Sequence, residues 1–435
     1  MEHIVQIPLF MAIPFVLMLG CIALMPLFAE HFWENNRNKL IIALALGIPT
    51  TIWLLLNGFS EHVIHTVFFD YVPFIILLGG LFIITGGIFI GADLQATPKN
   101  NTLVLLIGAI LASFMGTTGA AMLLIRLLMK MNKQRQYKVH TILFFIATVA
   151  NCGGLLTPLG DPPLFMMYLR GADFFWFFNF FPQWLFVNGL LLIVYFIHDN
   201  YYWKRESEEV KHIKDAEPSS LQIKGKINFI WLLVVIFAVA FLNSNVLPFM
   251  KENALYSFIR DGVIIFAAAM SLITTNKEQR IANNFNWYPI FEVAFLFIGI
   301  FLTMVPVLEL LQKNASQINI VTPTAFYFVT GGLSAVLDNT PTAVTFYSLA
   351  EGLFAGSTEY TDMVAGIPSI IMQSICLASV FFGSMTYIGN APNFMVKSIA
   401  EQNGIQMPQF IQYLVKFSLI IILPILILCD LVFFW

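Results

Sequence analysis

Long apolar runs separated by short polar stretches dominate this chain, and their length sets its class. Most runs exceed 18 residues and carry almost no charge, long enough to cross a bilayer as helices. They are continuous rather than alternating, which excludes an outer-membrane type of β-barrel. The pattern predicts an all-α polytopic membrane protein with ten spans. Five fall at about 4–28, 39–56, 72–91, 140–169 and 174–198. Five more fall at about 227–247, 258–275, 289–311, 367–400 and 410–433. The first run, Ile4 to Phe28, lacks a basic start and is long enough to span, so it reads as a membrane helix rather than a signal peptide.

Two apolar runs carry small and polar residues at their midpoints and are predicted to turn back as re-entrant hairpins. One covers about 101–129, with Ser113, Gly116, Thr117, Thr118 and Gly119 at its tip. The other covers about 322–354, with Ser334, Asp338, Asn339, Thr340 and Pro341 at its tip. Pro323 and Pro341 each follow a Thr, as in a Thr-capped helix start with Pro at its first position. Two further runs, 140–169 and 367–400, are interrupted by matching sequences. Thr157-Pro158-Leu159-Gly160-Asp161-Pro162-Pro163 corresponds to Thr386-Tyr387-Ile388-Gly389-Asn390-Ala391-Pro392. A repeated helix break at membrane depth is the strongest sequence pointer to a transporter's binding site.

Charge supplies the orientation. With both hairpins re-entrant, 18 of the 22 Lys and Arg fall on one side; only Arg170, Lys251, Arg260 and Lys313 fall on the other. The positive-inside rule then places both termini outside the cytoplasm and the linker 199–226 inside it. Residues 1–198 and 227–435 each hold five spans, with a hairpin between the third and fourth. Five is odd, so the second half enters from the opposite side, giving an inverted-topology repeat. Composition agrees: 58% of the residues are apolar and 11% charged, against about a quarter charged in soluble domains.

A broken helix leaves backbone amides and carbonyls unpaired near mid-membrane, which is costly unless they bind something or each other. The candidate binding residues around the breaks and tips are Asp161, Asp338, Asn339, Thr340, Thr157, Asn390, Thr386, Ser334, Ser113, Thr118 and Asn151, with Thr117 and Ser384 beside them. These are hard oxygen ligands with one carboxylate in each half and no Lys or Arg in either motif. A di- or tricarboxylate would be repelled by ionised Asp161 and Asp338, whereas a small cation or a proton suits them. The bland alternatives are that Asp161 and Asp338 only cap the helices after them, and that the Asn, Ser and Thr residues satisfy freed backbone groups or pack.

Other polar residues in apolar runs are weaker candidates. Glu292 is expected to snorkel to the interface, and Glu309, Lys416 and Asp430 lie near span ends. Glu351 lies in the second hairpin arm and could line the pathway. His62 and His65 are expected in an exposed amphipathic stretch rather than a metal site. The run Gly79, Gly80, Gly86, Gly87 and Gly91 is expected to bring the third span close to its neighbours. Cys21, Cys152, Cys376 and Cys429 lie in apolar segments and read as small packing residues. No Walker A sequence, dinucleotide fingerprint or zinc-type His-Glu motif is present.

The segments Leu333-Ser334-Ala335-Val336-Leu337-Asp338-Asn339-Thr340-Pro341-Thr342-Ala343 and Gly153-Gly154-Leu155-Leu156-Thr157-Pro158-Leu159-Gly160-Asp161-Pro162-Pro163 resemble the ion transporter superfamily. The likeness is greatest to NhaD-type sodium/proton antiporters, whose relatives include arsenite efflux permeases and citrate or dicarboxylate carriers. It implies a scaffold and a mobile, elevator-like transport domain in each protomer of a homodimer. It carries the family's hairpin Asp-Asn pair onto Asp338 and Asn339, and its broken-helix Thr and Asp onto Thr157 and Asp161. The chain departs from the pattern at Asn390, which stands where the first half has Asp161. The contiguous Ser-Asn-Thr signature of the carboxylate carriers is absent from both hairpin tips.

The expectation is therefore a sodium (or lithium)/proton antiporter of a bacterial-type inner membrane. Asp338 and Asp161 would bind cation and proton in competition, and sodium and protons would be transported species rather than cofactors. Its partners would be the bilayer, small cations and a second copy of itself, not nucleic acid. The rivals are a sodium-coupled organic-acid carrier, an arsenite permease and a non-transporting membrane scaffold.

Overall fold

The computed structural model describes residues 6–91, 94–211, 222–283, 285–354, 356–357 and 360–435. The first half contains α1 (Ile13–Phe28), α2 (Asn36–Leu56) and α3 (Ser60–Thr85). A hairpin follows, α4 (Pro98–Met115) and α5 (Thr117–Met131). Then comes a broken segment, α6 (Val139–Thr148) and α7 (Pro162–Leu169), and finally α8 (Phe181–Trp203). The second half repeats this order. It has α9 (Ile227–Phe241), α10 (Ser257–Thr274) and α11 (Tyr288–Asn314), then the hairpin α12 (Pro323–Ser334) and α13 (Asn339–Phe354). The broken segment α14 (Ser369–Phe382) and α15 (Ala391–Gln402) precedes α16 (Phe410–Phe433).

Among the described residues eight helices are long and apolar enough to cross a membrane, and large apolar side chains such as Leu56, Ile197, Ile273 and Phe266 stay exposed on them. The fold is that of an all-α, multi-pass membrane protein. Its only strands among the described residues are two short antiparallel pairs. Phe89–Gly91 pairs with Gln222–Lys224, fastening the end of the linker to the chain after α3. Met363–Val364 pairs with Ile367–Pro368 around Ala365 and Gly366, both at positive φ, as a tight two-residue hairpin requires. Linker residues 212–221, with Lys214, lie outside the described residues.

The helices sort into two groups. In one, α2 packs along α11 and α3 along α10, while α1 lies on α11 and α9 on α3. The contacts come in reciprocal pairs between the halves: α2 on α11 with α10 on α3, and α1 on α11 with α9 on α3. Gly80 makes one of these contacts possible: a Cβ there would lie 2.7 Å from Ile264 Cγ2. The second group holds both hairpins, both broken segments, α8 and α16. There α13 packs on α7 and α5 on α15, so the second arm of each hairpin meets the half-helix of the other half's break. The groups touch where α3 meets α5 and α11 meets α13. They are also linked by the ion pair of Asp70 in α3 with Arg170 after α7, at 3.1 Å.

Several expectations need correction. The third span begins at Ser60 and ends at Thr85, not at 72 and 91. Its polar first turns do not break it because their side chains are paired: His62 with Glu309 at 3.1 Å, and Asp70 with Arg170. His62 and His65 are exposed, as expected, and sit on a membrane-length helix. The sixth span stops at Phe241. Glu292 does not simply snorkel; its carboxylate pairs with the buried ammonium of Lys39 on α2. Thr322 does cap its helix, accepting from Ala325 N at 3.2 Å with Pro323 following. Thr340 does not cap: the helix already begins at Asn339, and Asp338 takes the capping place.

Candidate functional site

The two hairpin tips and the two helix breaks meet, and their meeting point is the carboxylate of Asp161. The breaks form because Gly, Pro and polar residues cannot sustain a helix there. Chain segments close over each break that no side chain could enter. A Cβ on Gly160 would lie 2.1 Å from Gly154 O, and one on Gly389 would lie 2.7 Å from Gly383 O.

Hydroxyl groups then tie each break to its hairpin in matching ways. Ser113 Oγ donates to Gly153 O at 2.5 Å and accepts from Leu156 N at 3.1 Å. Ser334 Oγ lies within donating distance of Ser379 O, at 2.7 Å. Thr157 Oγ1 donates to Ser113 O and accepts from Leu159 N at 3.1 Å. Thr386 Oγ1 donates to Ala335 O at 2.5 Å and accepts from Gly389 N at 3.0 Å. The unwound backbone is thereby paired, as burial away from water demands.

Asp161 is 1% exposed. It stands at the N-cap position of α7, but its side chain makes no capping hydrogen bond. Both oxygens reach across to other segments instead. Oδ1 accepts from Thr117 Oγ1 at 2.8 Å and from Asn390 Nδ2 at 3.1 Å; Oδ2 accepts from Asn339 Nδ2 at 2.8 Å. The donors come from the first hairpin, the second break and the second hairpin. Among the described residues no cationic side chain pairs with this carboxylate.

Two details bear on chemistry. Ser334 Oγ lies 2.7 Å from Asn339 Oδ1 and also 2.7 Å from Ser379 O. A hydroxyl has one proton, so it serves one of these acceptors at a time. Thr340 Oγ1 is buried and has no hydrogen-bond partner, although such atoms are rarely left unsatisfied.

Asp338 plays a different part. It is half-buried, and its Oδ1 accepts from Thr340 N at 3.1 Å, the capping bond at the start of α13. Thr118 has no hydrogen bond to the cluster; its neighbour Thr117 makes that contact, through the hydroxyl to Asp161 and through its N–H to Gly160 O at 2.8 Å. Ser384 Oγ turns back to Phe381 O at 2.5 Å. Asn151 joins the site through Asn390 and Asn393. Asn393 was not foreseen. Its signal was its place in the first turn of a buried half-helix that starts with Ala391-Pro392, where an amide can reach the carbonyls freed by the break. Also unforeseen was a buried group beside the linker, in which Arg135 pairs with Asp199 at 2.6 Å and His140 with the same carboxylate at 2.7 Å.

Paired hairpins and broken helices converging on a buried, hydrogen-bonded carboxylate, within a bundle of membrane-length helices, mark a membrane transport protein. Residues 4–434 match the model of the family CitMHS_2, described as "Putative citrate transport", and the chain belongs to that family. It is thus a multi-pass protein of a membrane ion and citrate transporter family. No curated protein matches it.

Proposed function

We propose that this protein is a secondary sodium (or lithium)/proton antiporter, with Asp161 as the group where cation and proton compete. The observation that carries the reading is the isolation of that carboxylate. Leaving an ionised carboxylate buried without a cationic partner is expensive, and a bound proton or a small cation each relieves the cost. The donors around it are hydroxyls and amides, which hold the ionised form in place without neutralising it. Asp338 and Thr340 flank Asn339, whose amide reaches Asp161, and in this reading they supply further oxygens. Asn390, Asn339, Thr157, Thr386, Ser334, Ser113 and Asn151 shape the surrounding cage.

Asn339 and Ser334 give the site a way to register which species is bound. With Asp161 ionised, Asn339 Nδ2 donates to it and the Ser334 proton lies on Asn339 Oδ1. With Asp161 protonated on Oδ2, the Asn339 amide reverses to accept that proton. Its Nδ2 then donates to Ser334 Oγ, and the Ser334 proton turns to Ser379 O. An amide reversal exchanges atoms of nearly equal size, so the cluster distances allow it. The state of Asp161 is thereby transmitted to both the second hairpin and the second broken helix.

In this reading the hairpins and broken helices form a mobile unit that carries the site past a scaffold of α1–α3 and α9–α11, within a homodimer. The linker lies in the cytoplasm and both termini lie outside. The family description favours a second reading, a sodium-coupled citrate carrier. There the N–H and O–H donors would hold substrate carboxylates and Asp161 would hold the coupling ion.

Everted membrane vesicles, acidified inside by respiration in cells lacking their own sodium/proton antiporters, separate the two. Addition of sodium or lithium is expected to collapse the proton gradient, and Asp161→Asn to abolish the response. Sodium-dependent citrate uptake without cation-induced proton release would establish the carrier reading in its place.

A further inference from the structure

A chain of three asparagine side chains leads to Asp161, and its polarity is fixed at every link. Asn393 Nδ2 faces Gly383 O at 2.8 Å and Thr386 O at 2.9 Å. Carbonyl oxygens only accept, so both N–H groups of Asn393 are committed to the second break and its Oδ1 must accept. The atom 2.6 Å from that Oδ1 is therefore Asn151 Nδ2, which also donates to Ile146 O at 2.8 Å. Asn151 Oδ1 is left as an acceptor and receives Asn390 Nδ2 at 3.2 Å. The same Asn390 amide lies 3.2 Å from Ala150 O and 3.1 Å from Asp161 Oδ1. All three asparagines are at most 4% exposed, which shields these bonds from bulk water.

We infer that Asn393 and Asn151 are positioning residues: they hold Asn390 with its N–H groups toward Asp161, so that its Oδ1 points the other way as a fixed acceptor. Asn339, on the other side of the carboxylate, has only the rotatable Ser334 hydroxyl behind it and can reverse. Asp161 thus has one side that always donates and one side that can change. The Asn393 backbone N–H donates to Asn390 O at 3.0 Å, but its side chain makes no hydrogen bond to Asp161 or to the Asn390 amide group and acts on them through Asn151. Because Asn151 follows α6 and Asn393 lies in α15, the same chain braces one broken helix against the other. The inference builds on the transporter reading above but not on the identity of the cargo.

The test is a double-mutant cycle in proteoliposomes, measuring half-saturation and maximal rate for whichever cargo the wild type moves. The wild-type assay with sodium, lithium and citrate comes first and judges the antiporter reading separately. Asn393→Ala, Asn151→Ala and Asn390→Ala are each expected to raise half-saturation about tenfold, the scale of one buried hydrogen bond to a charged group, with a smaller change in maximal rate. Adding Asn393→Ala to Asn390→Ala should then have almost no further effect on half-saturation. Multiplicative effects in the double mutant, or wild-type half-saturation in folded Asn393→Ala, would overturn the inference. If Asn393→Ala does not yield monodisperse protein, Asn151→Ala breaks the same chain midway, and its cycle with Asn390→Ala decides by the same criterion.

Discussion

The two halves of the molecule build the same junction with different chemistry. Position for position, Ser113 matches Ser334, Thr157 matches Thr386 and Gly160 matches Gly389, and each pair does the same backbone work. The differences sit where side chains face the centre. The first hairpin turns on Gly116 alone, at φ 81°, and presents Thr117. The second turn spans four residues, 335–338, holds Asp338 as its cap, and presents Asn339. The first break offers Asp161, the second Asn390, and these two touch each other directly. Two carboxylates at that distance would repel; an acid facing an amide forms a hydrogen bond. The two halves thus share a frame, and their differences leave a carboxylate in one break facing an amide in the other.

Substitutions can break or sharpen this contrast. Asp161→Asn makes the two breaks chemically alike while preserving shape. Transport in proteoliposomes should fall at least about a hundredfold, the scale of losing a buried charged partner, with an unchanged melting profile. Next in size is Gly160→Ala, whose Cβ would meet Gly154 O at 2.1 Å. Overpacking of this kind costs about 1–3 kcal/mol, so a thermal melt in detergent should show a clear drop. Gly389→Ala, with its nearest contact at 2.7 Å, should drop less.

Thr117→Val removes the hydroxyl donor to Asp161 and should raise cargo half-saturation about tenfold. Thr118→Val, one residue away and outside the cluster, should stay within about 0.5 kcal/mol of wild type in stability and keep its half-saturation. Equal effects at both would mean that the hairpin tip matters as a whole rather than through Thr117. The smallest change is expected at the cap. Asp338→Ala should cost about 1 kcal/mol of stability, whereas Asp338→Asn keeps a side-chain acceptor for Thr340 N and should melt near wild type.

Much of this frame was legible because it is local. Apolar run length gave the spans, and Gly and Pro with polar neighbours marked both breaks and both tips. What could not be read was which polar residue faces which. Thr117 and Thr118 are adjacent in sequence, and only the turn at Gly116 decides that Thr117 points to the carboxylate. Asp161 and Asp338 both precede helix starts and look like caps; tertiary partners from three other segments draw Asp161 away from that role, while Asp338 keeps it. Asn393 had no motif to announce it, because the side chain that links it to the carboxylate cluster, Asn151, lies 242 residues away. The start of the third span was missed because its polar residues are satisfied by ion pairs from distant helices.

The most direct test of the central claim is the half-saturation for sodium, measured in proteoliposomes over a range of pH. Competition at Asp161 predicts that KM for sodium rises as pH falls, because protons occupy the same carboxylate. The maximal rate at saturating sodium should hold, and Asp161→Asn should erase the response. A KM that does not move with pH, or an Asp161→Asn protein that still exchanges with the wild-type profile, would contradict the account.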